Sequence, residues 1–300
     1  MDKEKGKVCV LGASGFIGGC LEEKLSKDNV FDVAGYSSES CDLLSLADVK
    51  SLFSSVGRDD AIVIASAITR KQDNSQEAMK KNIQMVDNIC EALSINQVGT
   101  VVFLSTVDVY GIDVDEGLKI TEFLSLAPND NYASSKVASE DLLRKICSDF
   151  HIPLTILRLS GVYGPGDQNK STIGIIVQSA AREKRIVISD KGESLRDFIH
   201  VDDVCRIVIS AIRSKKNVLA NVATGKSCSI REIAEFVRDI MPFPVEIEYK
   251  TFDEKAEERV KSLEFDCSVR ERVFPDVPMT DLETGVKSYI KHVSSIDAFK

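Results

Sequence analysis

A short apolar run at residues 8–11 leads directly into Gly12-Ala13-Ser14-Gly15-Phe16-Ile17-Gly18, with apolar positions at helical spacing from there on: Phe16, Ile17, Cys20, Leu21 and Leu25. A buried strand, a glycine turn and an amphipathic helix in that order leave few folds open to the rest of the chain. Glycine permits the tight turn and lets another backbone or a ligand come close. The helix that follows offers unpaired N–H groups and a positive dipole end, which suit a pyrophosphate. The spacing G-x-x-G-x-x-G differs from the commoner G-x-G-x-x-G by one residue in the first gap. Gly12, Ser14, Gly15, Phe16, Ile17 and Gly18 are therefore candidates for a phosphate cradle. The alternative is a tight strand-to-helix connection without a ligand.

The pattern then repeats. Residues 31–36, 61–67 and 100–105 read as strands, and 46–56, 77–93 and 134–150 carry apolar positions with a period of 3.6. Residues 153–159 read as a further strand. Strands alternating with helices predict a parallel sheet covered on both faces. The strongest break in the chain is Gly161-Val162-Tyr163-Gly164-Pro165-Gly166, after which a second region is expected. Beyond it, 186–189, 218–222 and 245–249 read as strands, and 202–214 and 229–241 as helices. At 300 residues and 43% hydrophobic the chain can bury a substantial core, as one large domain or two modest ones.

The apolar run at 8–11 is too short for a signal or membrane segment, and the residues before it are highly charged, so a cytoplasmic location and no membrane association are expected. The eight cysteines are scattered without C-x-x-C spacing, and the three histidines, His151, His200 and His292, lie apart, so no metal site is expected. A formal charge of −9 argues against a general nucleic-acid surface, and an anionic small ligand would need local arginines instead.

Asn131-Tyr132-Ala133-Ser134-Ser135-Lys136 lies downstream of Ser105-Thr106-Val107-Asp108-Val109-Tyr110-Gly111. On a helix, positions i and i+4 share a face, so the Lys136 ammonium can stand beside the Tyr132 phenol and favour its ionised form. A free tyrosine ionises near a pKa of about 10, too high for a base at neutral pH, so such a neighbour would matter. Taken alone, Y-x-x-x-K also describes any aromatic and lysine on an amphipathic helix. A ribose reader should lie about 20 residues past the glycine turn, at the end of the second strand. Ser37, Ser38 and Glu39 occupy that place, and no Arg or Lys lies between Phe31 and Val49. Serine hydroxyls could bind a 2′-phosphate, Glu39 could accept from a 2′-hydroxyl, or all three could be plain loop residues. Preference between NAD and NADP stays open.

Together, the three glycines, Asp42-Leu43, Asn82, Ser105-Thr106 with Val109-Tyr110-Gly111, and Tyr132-x-x-x-Lys136 resemble the extended short-chain dehydrogenase/reductases, the NAD-dependent epimerase/dehydratase family acting on nucleotide sugars. Leu157-Arg158-Leu159-Ser160-Gly161-Val162-Tyr163-Gly164-Pro165-Gly166 is similar to that family's L-R-x-x-x-V-Y-G-P-G turn. Leu195-Arg196-Asp197-Phe198-Ile199-His200-Val201-Asp202-Asp203-Val204 is similar to its R-D-F-I-H-V-D-D-V segment, and Asn221-Val222-Ala223-Thr224-Gly225 and Asp266-Cys267-Ser268 match weaker features. The resemblance spans nearly the whole chain. It implies an α/β fold, a Rossmann-type doubly wound parallel sheet (residues 1–162, with 196–224 returning to it) and a smaller α/β C-terminal substrate-binding domain (163–195 and 225–300).

It also implies site roles. Tyr132 would be the acid/base on a sugar hydroxyl, Lys136 would lower its pKa and bind the nicotinamide ribose, and Thr106 would hydrogen-bond the reacting oxygen. Besides the glycine turn, the cofactor would meet Ser37, Ser38, Asp42, Leu43, Ala65, Ser66, Ala67, Asn82, Ser105, Gly161 and Val162. Arg196 would grip the diphosphate of a nucleotide-diphosphate sugar, with Val107 and Asp108 beside the sugar. Arg259 is either a second phosphate ligand or a surface charge, and His200 is expected to be structural. The resemblance further implies a homodimer built on helices 77–93 and 134–150.

For the reaction, the family's 4,6-dehydratases carry Thr-Asp-Glu or Thr-Ser-Glu where this chain has Thr106-Val107-Asp108. The first carboxylate is replaced by an aliphatic group and the glutamate by a shorter aspartate, which disfavours elimination of water. A 4-epimerase and a 4-keto-sugar reductase remain open. Asp42-Leu43 follows Ser37 by only five positions, which favours a reductase, whereas the lack of a basic 2′-phosphate partner favours an epimerase. A non-catalytic NAD(P)-binding regulatory protein is the reading from another class. It predicts loss of Thr106, Tyr132 or Lys136, and all three are present.

Overall fold

The computed structural model describes residues 5–111, 117–168, 170–189, 191–250 and 262–296. Six strands form its central sheet: β1 (Lys7–Leu11), β2 (Asp32–Tyr36), β3 (Ala61–Ile64), β4 (Thr100–Thr106), β5 (Leu154–Leu159) and β6 (Val218–Val222). Their spatial order is β2-β1-β3-β4-β5-β6, and every pairing is parallel. The helices are α1 (Phe16–Asp28), α2 (Leu46–Phe53), α3 (Gln76–Ile95), α4 (Asn131–Asp149), α5 (Thr172–Glu183), α6 (Val201–Ser214), α7 (Ile230–Ile240), α8 (Ser268–Val273) and α9 (Leu282–Ile296). This is the α/β, doubly wound arrangement that the alternation of strands and helices predicts.

Both sheet faces are covered, which is why the strands read as unbroken apolar runs. Side chains alternate across β1. Val8 and Val10 pack with Leu21 and Leu25 of α1 and Val204, Ile207 and Val208 of α6. Cys9 and Leu11 pack on the opposite face with Phe53 of α2, Ile89 and Leu93 of α3, and Leu143 and Cys147 of α4. Because β1 pairs with β2 on one side and β3 on the other, the winding reverses at β1. In open α/β sheets, ligands bind in the crevice at the carboxyl ends of strands at such a switch point. The glycine turn leaves β1 there. Of the helices, only α2 intervenes between β2 and β3, and β2 is an edge strand of the sheet.

A third apolar cluster lies outside the sheet. It joins Ile173, Ile176 and Val177 of α5, Ile233 and Val237 of α7, and Val286 and Tyr289 of α9 to a parallel pair of strands, Arg185–Ser189 and Glu246–Lys250. Neither α8 nor α9 is among the elements read from the sequence. Val269, Val273 and Phe274 fold back onto the α1–α6 face of the sheet, so the chain crosses between the two cores more often than a simple two-part division implies.

Two element boundaries bear on the site. The expected strand 61–67 ends at Ile64. Ala65 N still donates to Leu11 O at 2.9 Å, but Asn82 then takes both the N–H (2.8 Å) and the carbonyl (2.9 Å) of Ile68, drawing the segment away from the sheet toward α3. The expected helix 134–150 starts three residues earlier, at Asn131, because the Asp130 side chain caps it by accepting from Ala133 N at 2.7 Å. Tyr132 therefore sits in the first helical turn. No helix among the described residues is long and apolar enough to cross a membrane.

Candidate active site

At the end of β1, Gly12 has φ +93°, and a Cβ there would lie 2.8 Å from the Ser66 backbone nitrogen. A Cβ on Gly18 would lie 2.2 Å from the Gly12 carbonyl oxygen. Only glycine allows this turn to close while the segment after β3 crosses it. The Gly15 N-cap of α1 contributes no side-chain hydrogen bond, which leaves the amides of the first turn, from Phe16 onward, facing the end of the sheet. A concave backbone surface bounded by glycines, with unpaired donors and a positive helix end, fits a pyrophosphate. Ala65 and Ser66 lie against it, and the Phe16 ring reaches toward Gly166 of the turn that follows Gly161 and Val162. Gly161 to Tyr163 form a short strand parallel to Phe198–His200.

At the end of β2, the Ser40 hydroxyl accepts from Ser37 N at 2.9 Å and donates to Ser37 O at 3.2 Å, and Ser37 Oγ accepts from Glu39 N. The Glu22 carboxylate lies against Gly35, one residue before the strand ends. Between Phe31 and Val49 every charged residue is acidic: Asp32, Glu39, Asp42 and Asp48. Asp42 itself accepts from Leu44 N at 3.0 Å, while Leu43 is buried and its carbonyl accepts from Asn88.

Tyr132 and Lys136 face the end of β4. The Lys136 nitrogen is 5.9 Å from the Tyr132 ring centre and 4.6 Å from that of Phe103, and it donates to Leu104 O at 2.7 Å. Burial pushes the ammonium down to about 8, with Glu140 opposing. The Tyr132 phenol is held well above its ordinary value, first by burial and then by Asp108 and Asp130, with Arg70 opposing. The expected depression by Lys136 is not realised: the two groups share a helix face, but the ammonium is turned toward Leu104 O, while Asp108 and Asp130 both act on the phenol. Thr106 ends β4. Its hydroxyl accepts from Asp108 N at 3.2 Å and so starts the short 3-10 turn Val107–Tyr110.

Other candidates have structural occupations. The Ser105 hydroxyl donates to Glu140 at 2.6 Å, away from the glycine turn. The Asn82 amide is spent on Ile68 and Ser135. Val107 is buried in an apolar cluster with Val109, Tyr110 and Ile120. Asp108 forms an ion pair with Arg70, and Arg70 Nε donates to Asp130 at 2.8 Å. Arg196, half-buried, donates to Leu195 O at 2.7 Å, and Asp108 lies close enough to act on its charge. His200 caps α6, its Nδ1 accepting from Asp202 N at 3.2 Å. Arg259 lies outside the described residues.

Four charged groups with no role assignable from the sequence adjoin these candidates. Arg70 and Asp130 flank Tyr132. Glu140, which accepts from Ser105, and Arg158 are both buried, with Arg158 donating to both Glu140 oxygens at 3.0 and 2.7 Å. A pattern signal existed for two of them. Asp130 precedes the helix at an N-cap position, and Tyr132, Lys136, Glu140 and Arg144 follow at steps of four along one face.

With this geometry in view, comparison with known proteins is direct. The family model for the NAD dependent epimerase/dehydratase family matches residues 8–223. The chain belongs to that family. The uncharacterized UDP-glucose epimerase YtcB of Bacillus subtilis is 26% identical over 321 residues, covering 97% of this chain and 98% of the relative. Among solved structures, the UDP-glucose 4-epimerase of Thermotoga maritima, determined with UDP-glucose, superposes with a TM-score of 0.86 at 20% identity, over 97% of this chain and 99% of that one. RMD from Pseudomonas aeruginosa, determined with NADPH, gives 0.82 at 22% identity, over 95% and 99%. At those identities the structures establish the shared fold. Membership of the family makes the chain an NAD-dependent epimerase/dehydratase-type enzyme with a Rossmann-type sheet.

Proposed function

We propose that this protein moves hydride between a nicotinamide cofactor and a secondary alcohol carbon of a nucleotide-diphosphate sugar, acting as a 4-epimerase with Tyr132 as acid/base. The observation that carries the choice is the end of β2. Glu39 lies in the Ser37–Ser40 turn, Asp42 follows it, Glu22 lies against Gly35, and no Arg or Lys lies between Phe31 and Val49 in the sequence, a setting that disfavours a 2′-phosphate and suits NAD. Retained NAD is what an epimerase needs, since it takes the hydride and returns it.

The Gly12–Gly18 turn and Ser66 would hold the pyrophosphate, with Ser37 and Ser38 at the adenosine ribose and Lys136 at the nicotinamide ribose. A nicotinamide bound there supplies the hydride acceptor and donor. Tyr132 would first have to lose its own proton, which the positive charge of an oxidised nicotinamide would favour; the phenolate oxygen then takes the proton from the sugar hydroxyl and later returns it. The Thr106 hydroxyl holds the same sugar oxygen. Arg196 offers the local positive charge that an acidic protein needs for a diphosphate, and the α5–α7–α9 cluster with its two strands supplies the sugar-side wall.

One specific observation favours a second reading, a 4-keto-sugar reductase: α2 alone separates β2 from β3, the shortened connection that the family's reductases often have. Dehydration is disfavoured, because Val107 is buried among apolar side chains and Asp108 is engaged by Arg70.

The test is to denature the purified protein, identify the nucleotide released, and then follow conversion of a panel of UDP-, GDP- and dTDP-sugars. Retained NAD with product epimers supports the first reading, and an empty site using added NADPH supports the second. Tyr132→Phe is expected to lose turnover by at least about a hundredfold while still binding cofactor. Full activity in that variant would remove Tyr132 from the mechanism.

A further inference from the structure

The mouth above Tyr132 is crossed by one side chain that the proposed mechanism does not use. Arg70 leaves the segment after β3 and donates from Nε to the Asp130 carboxylate at 2.8 Å, and from its terminal nitrogen to Asp108. Its guanidinium carbon lies 6.0 Å from the centre of the Tyr132 ring. The segment that carries it is built to stay in place. Asn82, buried on α3, holds both backbone groups of Ile68, and Thr69 bonds through its amide and its hydroxyl to Gln72.

Both carboxylates have other work that fixes them near the phenol. Asp130 caps α4 through Ala133 N, and Asp108 opens the turn after Thr106. Two fixed negative charges beside a group that must itself become negative oppose its ionisation.

We propose that Arg70 is a positioning residue for proton handling at Tyr132: it ties the turn after β4 to the start of α4 and offsets part of the push that the two carboxylates exert toward the protonated phenol. This rests on Tyr132 being the acid/base. The charged groups facing the phenol are Asp108 from the 3-10 turn, Arg70 from the segment after β3, and Asp130 and Lys136 from α4. Arg196 acts at one remove, through Asp108. Arg70 opposes the upward push of Asp108 and Asp130 on Tyr132, in agreement with the geometry. Arg70 and Asp108 are both partly exposed, so solvent screening limits the effect to about one pH unit.

The test needs no turnover. The protein is made with 3,5-difluorotyrosine, whose phenol is more acidic than tyrosine's, and the resonance of residue 132 is assigned by its loss in Tyr132→Phe and followed by fluorine NMR against pH. Arg70→Gln should raise the midpoint by about one pH unit. Arg70→Lys should return most of it, and Asp108→Asn added to Arg70→Gln should lower it again. An unchanged midpoint in Arg70→Gln overturns the proposal. So does a shift that neither Lys nor the second substitution reverses, because that pattern marks a purely structural disturbance. If instead Tyr132→Phe retains turnover while these midpoints move as expected, the catalytic reading fails and the electrostatic role of Arg70 stands.

Discussion

Replacing Arg158 with Met should test whether a buried ion pair holds α4 to β5 behind Ser105. Glu140 is fully buried and the Arg158 side chain is 2% exposed. Arg158 makes two bonds to Glu140 and a third, at 2.8 Å, to the Tyr110 hydroxyl, which in turn donates to Asn221 at 2.7 Å. Without Arg158, Glu140 keeps only Ser105 and Arg144, and the Arg144 side chain is 39% exposed. Breaking one partner of a buried pair costs about 3–5 kcal/mol, and the remaining contact to Arg144 puts this case near about 3. Unfolding entropy of about 2.1 cal/mol/K per residue gives about 0.6 kcal/mol/K for a chain of this length, so the melting temperature should fall by about 5 °C. Urea denaturation of Arg158→Met, Glu140→Leu and the double variant is the assay. The double variant should lose at least about 2 kcal/mol less than the sum of the singles, because no uncompensated charge remains. Simple additivity, or a loss below about 1 kcal/mol in Arg158→Met, would refute the account.

Further outcomes follow from the same geometry. Lys136 has a folded-state pKa of about 8 against an ordinary value of 10.5, so the unfolded chain binds more protons between those values and the parent gains stability as pH rises through that window. The stability of Lys136→Met relative to the parent should therefore fall by about 2 kcal/mol from pH 7 to 9.5 in matched urea curves, and a difference independent of pH would show that burial does not depress Lys136. Gly18→Ala places a methyl group against the Gly12 carbonyl and should weaken NAD binding at least about tenfold by calorimetry; unchanged affinity would show that the turn does not form the cradle.

Much of the fold is legible from pattern alone, because strands buried on both faces and helices with one apolar face leave periodicities that survive without any contact information. β1, the glycine turn, α1 and the β4 and α4 motifs can all be located this way. The helical register also places Tyr132, Lys136, Glu140 and Arg144 on one face. The ends of elements are less legible. The expected strand through Ala67 stops at Ile64 because Asn82, eighteen positions on, claims the backbone of Ile68. The end of β2 shows its lack of a cation in the sequence, but only folding brings Glu22 of α1 against Gly35.

What the sequence by itself determined is the set of chemical groups and their local frames: a glycine turn between a strand and a helix, a phenol and an ammonium one helical turn apart, and a hydroxyl at a strand end. Those frames depend on spacings of a few residues, which local backbone geometry converts directly into direction. The tertiary structure alone decided the electrostatic setting. Arg70 reaches Asp108 and Asp130 across 38 and 60 positions of chain, and Arg158 reaches Glu140 from a neighbouring strand. The field at a half-buried phenol is set by every charge within several ångströms, whatever its place in the chain, so the ionisation of Tyr132 could be named as a requirement from sequence but its balance of opposing charges emerged only when the chain closed on itself.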